Sequence, residues 1–314
     1  MISEQTQRLL TEIFGDSLSL ADAPQIRKRI VRWGNQKEPV ELPHRGLVLS
    51  EQALLDRLWQ HVQLSENASA SPSPTSQVEW TIVSASNSDI SSEPQPELWS
   101  FGSRLALTTI VELDRRAPAD CCWIESLPDG WLFLLPAGEG RATLISTGYA
   151  PEKLIEQSGW IARQISNVNY IAEQARRFPA FPQLLSPLCG SDWLGCGSAA
   201  MIFDPLCGEG AGHAAREAIL ASAVIRAAAQ GYVAEDLLSH YATRLMQGFL
   251  RHLQVCLPFY QSGGSSSFWT TEAAELRRGI RWMEDRLQAR PPFIYRLSGY
   301  DLEPIADGQV QVPH

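Results

Sequence analysis

Three glycines at the start of a small-residue helix are the feature of this sequence best suited to chemistry. A short apolar run ends in Gly195-Cys196-Gly197, and a loop containing Pro and Gly leads to Gly208, Gly210 and Gly212. Small and apolar residues then recur at helical spacing, which predicts a helix from about Ala211 to Gln230. Glycines leave backbone N–H groups accessible at such a start, and the helix dipole adds partial positive charge. The arrangement is typical of a site for an anion or an electron-rich carbonyl edge.

The order of residues in this stretch resembles the second flavin-binding motif of FAD-dependent monooxygenases and flavin-dependent halogenases, the para-hydroxybenzoate hydroxylase-like superfamily. There a strand ending in Gly-Asp-Ala-Ala precedes a loop similar to Asp-Pro-x-x-Gly-x-Gly and a long helix. Residues 204–210 keep the loop, and 197–200 keep the strand end with Ser198 in place of the aspartate that holds the ribityl chain and its phosphate end. A hydroxyl there lacks the charge-assisted strength of a carboxylate. The alternative is a glycine-rich strand-to-helix turn of an unrelated α/β domain.

The resemblance implies FAD as cofactor, with the isoalloxazine ring against residues 208–210, where the helix start would stabilise the N1–C2 carbonyl side of reduced flavin. No catalytic residue is assigned. Asp204 is interpreted first as an Asp-Pro turn residue that fixes the loop, with catalysis as the alternative. His213 either donates to a developing negative charge or faces solvent. The implied cofactor-binding residues are Gly197, Ser198, Asp204, Pro205, Leu206, Gly208, Glu209 and Gly210.

A second part of the chain resembles the substrate-domain sheet of the same family. The phrase Gly-Trp-x-Phe-x-x-Pro, common there, is matched by residues 130–136. Asp129-Gly130 predicts a hairpin turn between strands at 122–126 and 131–136. Further strands are predicted over 99–113, with Arg104 inside, and over 142–147. An amphipathic helix is predicted over 151–176, a second helical stretch over 234–256 and a charged helix over 272–289.

The first signature of the family, a strand followed by Gly-x-Gly-x-x-Gly and a helix that binds the ADP half of FAD, is absent before residue 45. The family arginine that reaches the flavin phosphates falls on Gln52. Three lost charge-assisted contacts at about 1.5–3 kcal/mol each amount to about 4–9 kcal/mol. We therefore expect FAD binding to be weak, or to depend on a second polypeptide that supplies the missing dinucleotide-binding unit.

Together these features predict an α/β fold: a partial FAD-binding Rossmann-like layer, a mixed or antiparallel substrate-type sheet and C-terminal helices. The expected substrate-type sheet domain comprises 24–49 and 99–186, and the partial FAD-binding domain comprises 50–98 and 187–232. A C-terminal helical region is expected over 233–314. Residues 65–77 and 86–97 are expected to be polar loops.

The composition argues against some classes of binding partner. A net charge of −9 over 314 residues argues against nucleic acid, and no apolar run is long enough for a membrane span. The N-terminus does not resemble a signal peptide, so the cytoplasm is the default location. Six cysteines form no Cys-x-x-Cys pair, and six histidines show no metal-like spacing. The sequence thus predicts neither a zinc site nor a disulfide framework.

Three functional hypotheses follow. The first is a flavin-dependent oxidoreductase of the monooxygenase or halogenase type that acts on a small organic molecule or a peptide side chain. The second is a degenerate relative without cofactor that serves as a binding or maturation partner. The third is the C-terminal part of a split or truncated flavoprotein. Halogenation itself has no support, because no lysine lies in a phrase that matches the halogenase motif.

Overall fold

The computed structural model describes residues 1–15, 18, 20–68, 80–85, 95–167, 175–208 and 210–305. Its helices are α1 Glu4–Phe14, α2 Glu51–Ala68, α3 Pro151–Gln157, α4 Gly210–Ala229, α5 Ala234–Ser262 and α6 Ser267–Gln288. Its strands are β1 Ile2–Ser3, β2 Gln25–Arg32, β3 Val40–Leu47, β4 Thr81–Val83, β5 Glu97–Ser100, β6 Leu105–Leu113, β7 Cys121–Leu127, β8 Gly130–Gly138, β9 Arg141–Gly148, β10 Ile165–Asn167, β11 Arg176–Pro179, β12 Gln183–Ser186, β13 Trp193–Gly195, β14 Met201–Ile202, β15 Tyr295–Ser298 and β16 Asp301–Pro304.

A large mixed sheet forms the centre of the fold. Its strand order is β1-β3-β2-β7-β8-β9-β6-β10, with β11 also on β6; among the described strands of this sheet, β2 and β7 are parallel and the other pairs are antiparallel. The predicted hairpin is confirmed, since Leu127 pairs with Gly130 across the turn. A side chain at Gly130 would place its Cβ 2.1 Å from the carbonyl oxygen of Thr147, so the close approach of β9 requires glycine here.

Both faces of this sheet are covered. On one face α5 and α6 pack across β7 and β8, and the indole of Trp269 donates to the carbonyl of Leu127 at 2.9 Å. On the other, α3 and a short 3₁₀ turn at 161–164 bury Leu132 and Leu134. All of β7 and the first seven residues of β8 are therefore buried, because the sheet is covered on both sides.

A smaller layer holds the glycine-rich segment. Strand β13 lies parallel to β4, and β12 lies between β14 and β5. Helix α4 runs over residues 210–229, close to the predicted range, and buries its alanine-rich side in the core. The α/β fold class, with helices at the C-terminal end, is confirmed.

Two predicted elements differ from the structure. The helix predicted over 151–176 ends at Gln157, because the buried carboxylate of Glu125 binds the backbone N–H groups of the next segment, including those of Gly159 and Ile161. The strand predicted over 99–113 is broken between β5 and β6, which belong to different sheets. The break occurs at Gly102, whose φ of +134° is a conformation that other residues rarely adopt.

The C-terminal segment docks through a hairpin of β15 and β16. Tyr295 is buried there, and its ring lies 5.7 Å from the ring of His240. His240 and His252 are both buried. Among the described helices, not one is sufficiently long and apolar to cross a bilayer. The loops predicted over 65–77 and 86–97 fall largely outside the described residues.

Candidate functional site

The candidate site lies where the parallel strands β4 and β13 end and α4 begins. Gly197 follows β13 with a φ of +59°, and its N–H donates to the carboxyl of Glu217 on α4 at 2.6 Å. Ser198 is exposed and donates to the carbonyl of Ser84, the residue after β4, at 3.3 Å. Both residues thus occupy the carboxyl edge of a parallel pair, the edge at which open α/β sheets bind ligands.

The loop before α4 is folded by its own hydrogen bonds. Asp204 is buried and accepts the N–H of Leu206 at 2.8 Å, while Pro205 starts a 3₁₀ turn. The N–H groups of Cys207 and Gly208 donate to the carbonyls of Asp204 and Pro205 at 3.3 and 3.1 Å. The interpretation of Asp204 as a turn residue is confirmed. The same bonds mean that the amides of residues 206–208 are already used within the loop.

At the start of α4 the backbone is open at Gly208 and Gly210, whereas Gly212, the third predicted glycine, is buried. Among the described residues, no further atom lies within 4 Å of the position that a Cβ at Gly208 or Gly210 would occupy. The first N–H groups of an α-helix have no acceptor within the helix. Glu209, the remaining predicted residue, lies outside the described residues.

A buried ion network anchors the loop to the rest of the fold. The guanidinium of Arg104 donates to Asp204 Oδ2 at 2.5 Å and to Glu272 Oε2 of α6. All three side chains are at most 3% exposed. The other oxygen of Glu272 accepts the N–H and the hydroxyl of Ser103, both at 3.2 Å. The network joins the β5–β6 break, the loop and α6 through charge-assisted bonds.

The aromatic ring of Tyr260 packs against this network. The guanidinium carbon of Arg104 lies 4.3 Å from the centre of its ring, and Trp131 donates to its hydroxyl at 3.2 Å. Burial by itself would lower the pKa of Arg104, but Tyr260, Asp204 and Glu272 outweigh it and hold that pKa above its ordinary value. Arg104 is therefore a fixed cation that positions Asp204.

Burial shifts the pKa of two groups on α4 toward the uncharged form. Desolvation raises the pKa of Glu217 to about 7, against the lowering effect of the Gly197 N–H. His213 is half-buried rather than solvent-facing, stacked on Phe203 with ring centres 4.1 Å apart. Burial, with Arg216 and His252, lowers the pKa of His213 to about 4. At neutral pH His213 is thus an uncharged imidazole that can donate one hydrogen bond.

Sequence reasoning missed most of this network. Arg104 gave a weak signal as a charged residue in an apolar strand, but nothing marked Glu272 or Tyr260 as its partners. It also missed a cluster of Cys207, His252 and Cys256, whose ligand atoms lie within 4.8 Å of one another. Gln52 is exposed on α2 and donates to Asp56 at 2.6 Å, so it forms no part of the network.

Comparison with known proteins gives no match by sequence: no protein-family model and no curated protein matches the chain. Solved structures do match. The halogenase CmlS, which is flavin-dependent, superposes with a TM-score of 0.70 at 13% identity, over 92% of this chain and 64% of its own. The peptidyl tryptophan dihydroxylase QhpG superposes with a TM-score of 0.68 at 17% identity, over 97% of this chain and 77% of its own. The myxobacterial FAD-dependent halogenase CndH superposes with a TM-score of 0.67 at 15% identity, over 90% of this chain and 81% of its own.

These similarities define the class first: an α/β fold shared with flavin-dependent enzymes. More narrowly, the fold is similar to the folds of the flavin-dependent halogenases CmlS and CndH and of the dihydroxylase QhpG, in agreement with the fold that the motifs at 130–136 and 197–210 predict. The chain spans less than two thirds of the length of CmlS.

Proposed function

We propose that this protein is a flavin-dependent oxidoreductase of the monooxygenase type that acts on a small organic molecule or a peptide side chain. The observation that carries the proposal is the open start of α4 at the carboxyl edge of β4 and β13, beside a loop that Arg104 holds in place. When bound, the flavin would supply the redox chemistry. The chain would orient the ring through the first N–H groups of α4 and stabilise negative charge there.

The residues present fit the ring end of FAD better than its ADP end. Open backbone at Gly208 and Gly210 leaves room for the ring. For the pyrophosphate, the described residues contain no second glycine-rich turn from a parallel strand into a helix. We therefore propose that FAD binds weakly to this chain alone, or that a second polypeptide completes the dinucleotide site.

A cavity next to the ion network is the proposed place for part of the substrate. Its volume is about 370 Å³, and Tyr260, which packs against Arg104, forms part of its wall together with Trp269. Gln261, Thr270 and Arg277 add polar groups. Aromatic walls with a few polar groups are typical of pockets for organic ligands. The similarity to QhpG, a peptidyl tryptophan dihydroxylase, favours a peptide side chain as one substrate class.

A titration with FAD tests the proposal. We expect flavin fluorescence to be quenched saturably by the purified chain, with a micromolar or weaker Kd. Gly210 lies at the start of α4 with open space and no left-handed φ, so Gly210→Leu blocks the ring without backbone strain. We expect at least tenfold weaker binding for Gly210→Leu and little change for Gly210→Ala. The matched control is Ala234→Leu at the exposed start of α5, which should bind like the wild type.

A second function, that of a cofactor-free binding or maturation partner, is favoured by one observation. The N–H groups of Gly197, Leu206, Cys207 and Gly208 all donate within the protein, so these four amides are not available to a ligand. If the purified chain is colourless, and FAD at millimolar concentration changes neither its fluorescence nor its thermal stability, this second function replaces the first.

A further inference from the structure

Two cysteines meet at the junction between the loop and α5. Cys207 ends the 3₁₀ turn of residues 205–207, Cys256 lies within α5, and their Sγ atoms are 3.3 Å apart. A disulfide bond is about 2.05 Å long, so closure requires an approach of about 1.3 Å. Cys207 is next to Gly208, around which the structure leaves open space on the side that a Cβ would occupy. The loop side of the pair therefore has room to make this adjustment.

The two thiols differ in burial and in acidity. Cys256 is fully buried, whereas Cys207 is partly accessible to solvent. The hydrogen bond from Cys256, with a smaller effect of His252, lowers the pKa of Cys207 to about 6 despite desolvation. The same contact and burial raise the pKa of Cys256. Two charged neighbours oppose these shifts: Asp204 raises the pKa of Cys207, and Arg104 lowers the pKa of Cys256.

None of the other four cysteines has a lowered pKa. Burial raises the pKa of Cys121 and, to about 11 or 12, the pKa of Cys122, Cys189 and Cys196. A thiolate is the reactive form of cysteine, and reactive cysteines are accessible ones with a lowered pKa. Cys207 meets both conditions.

A metal ion is the obvious alternative for Cys207, His252 and Cys256, because their ligand atoms are close together. The histidine argues against it. His252 Nε2 accepts the backbone N–H of Asp204 at 2.9 Å, and a neutral imidazole has one lone pair to offer. Metal binding through this nitrogen would break that bond, which helps to hold the loop. The geometry therefore favours chemistry between the two sulfurs.

We propose that Cys207 and Cys256 are a redox-active dithiol that closes to a disulfide when a hydroperoxide oxidises it. The Cys207 thiolate attacks the peroxide, so that an S–O bond forms and the O–O bond breaks. The departing alkoxide or hydroxide takes the proton that Cys207 gave up. The Cys256 sulfur, after losing its proton, then attacks Cys207; the S–S bond forms, the S–O bond breaks, and hydroxide leaves as water with that proton. Two thiols lose two electrons, and the peroxide is reduced to an alcohol and water, or to two waters.

The disulfide would join the loop covalently to α5. In the reduced state the loop is attached there by the Asp204–His252 hydrogen bond and the thiol contact. The thiol chemistry does not depend on flavin binding. Only the consequence that oxidation changes FAD affinity rests on the proposed function.

The test is a count and map of thiols in the full chain. Reduced protein is exposed to graded hydrogen peroxide, its free thiols are alkylated under denaturing conditions, and peptides are mapped by mass spectrometry. We expect Cys207 and Cys256 to be lost together as one cross-linked peptide, while the other four cysteines remain alkylated. The Cys189→Ser control should give the same cross-link. Independent oxidation of the two cysteines, or pairing with other cysteines, would overturn the proposal.

Three further measurements keep the test decisive. In Cys256→Ser, the sulfenic acid on Cys207 should persist and react with dimedone, whereas Cys207→Ser should form no cross-link. In wild-type protein at low iodoacetamide, the alkylation rate of Cys207 should rise with a midpoint near pH 6 rather than above 8. Zinc released on denaturation at one equivalent per chain, with both thiols protected from alkylation, would instead establish a metal site and refute the dithiol. All these readouts are the same whether or not FAD binds.

Discussion

The buried cation Arg104 gives the sharpest test of how the site is held. The network contains one positive and two negative charges, and its three side chains are almost inaccessible to water. Arg104→Met keeps the length of the side chain but leaves Asp204 and Glu272 as buried carboxylates without a cation. Removing one partner of a buried ion pair costs about 3–5 kcal/mol. We expect a loss of that size in the free energy of unfolding.

The matched control is Arg141→Met, which removes an ion pair with Glu139 whose side chains are 60% and 82% exposed. Exposed pairs contribute about 0–1 kcal/mol, so this variant should unfold close to the wild type. Urea unfolding followed by tryptophan fluorescence measures both, because Trp131 and Trp269 are buried beside Tyr260.

A triple variant separates buried charge from lost packing. Arg104→Met with Asp204→Asn and Glu272→Gln removes all three charges, and uncharged replacements of buried ion networks are often neutral. We expect the triple variant to be more stable than Arg104→Met alone, although it carries two more substitutions. The reasoning is refuted if the free energy of unfolding of Arg104→Met lies within about 1 kcal/mol of that of the wild type, or if the triple variant is less stable than Arg104→Met.

Other predictions concern buried titratable groups, and all are measured by urea unfolding. In the folded protein the pKa of Glu217 is about 7, above its unfolded value, because burial favours the protonated carboxyl. The protonated carboxyl therefore stabilises the folded state at low pH, and this stabilisation is lost as pH rises from about 4.5 to 7. Across that pH range, the free energy of unfolding of Glu217→Gln should rise by up to about 2–3 kcal/mol relative to that of the wild type. A difference between the two proteins that does not change with pH contradicts this. His240, whose pKa burial and then Arg244 lower to about 4, acts in the opposite direction: stability is lost as pH falls from about 6.5 to 4. His240→Phe should reduce that loss, and an equal acid sensitivity in both proteins would argue against it. Glu125→Gln should cost about 2–3 kcal/mol, because its buried carboxylate accepts several backbone N–H groups, and a cost below about 0.5 kcal/mol would show that these bonds are dispensable.

The sequence by itself determined the features that depend on neighbours along the chain. The hairpin at Asp129-Gly130, the helix after Gly208 and the turn made by Asp204 all follow from bonds and contacts that span a few residues. Backbone sterics and short-range hydrogen bonds determine such features, so residue order is sufficient to predict them. The same local order carried the resemblance to flavin-dependent enzymes.

Prediction failed where tertiary contacts compete with local preference. The apolar spacing over 151–176 favours a helix, but a carboxylate from β7 binds the amides after Ser158 and ends α3. The apolar run over 99–113 favours one strand, but its two halves pair with different sheets. In both places the partner comes from a distant part of the chain, and its effect outweighs periodicity.

Only the tertiary structure decided which side chains meet at the site. Arg104 reaches a carboxylate 100 residues away and another 168 residues away, and Cys207 meets Cys256 from 49 residues away. Residue type and spacing do not encode these meetings, because they depend on how the sheet, the loop and the last two helices pack. The charge states of Glu217 and His213 follow from the same packing, since burial rather than residue type shifts the pKa of each.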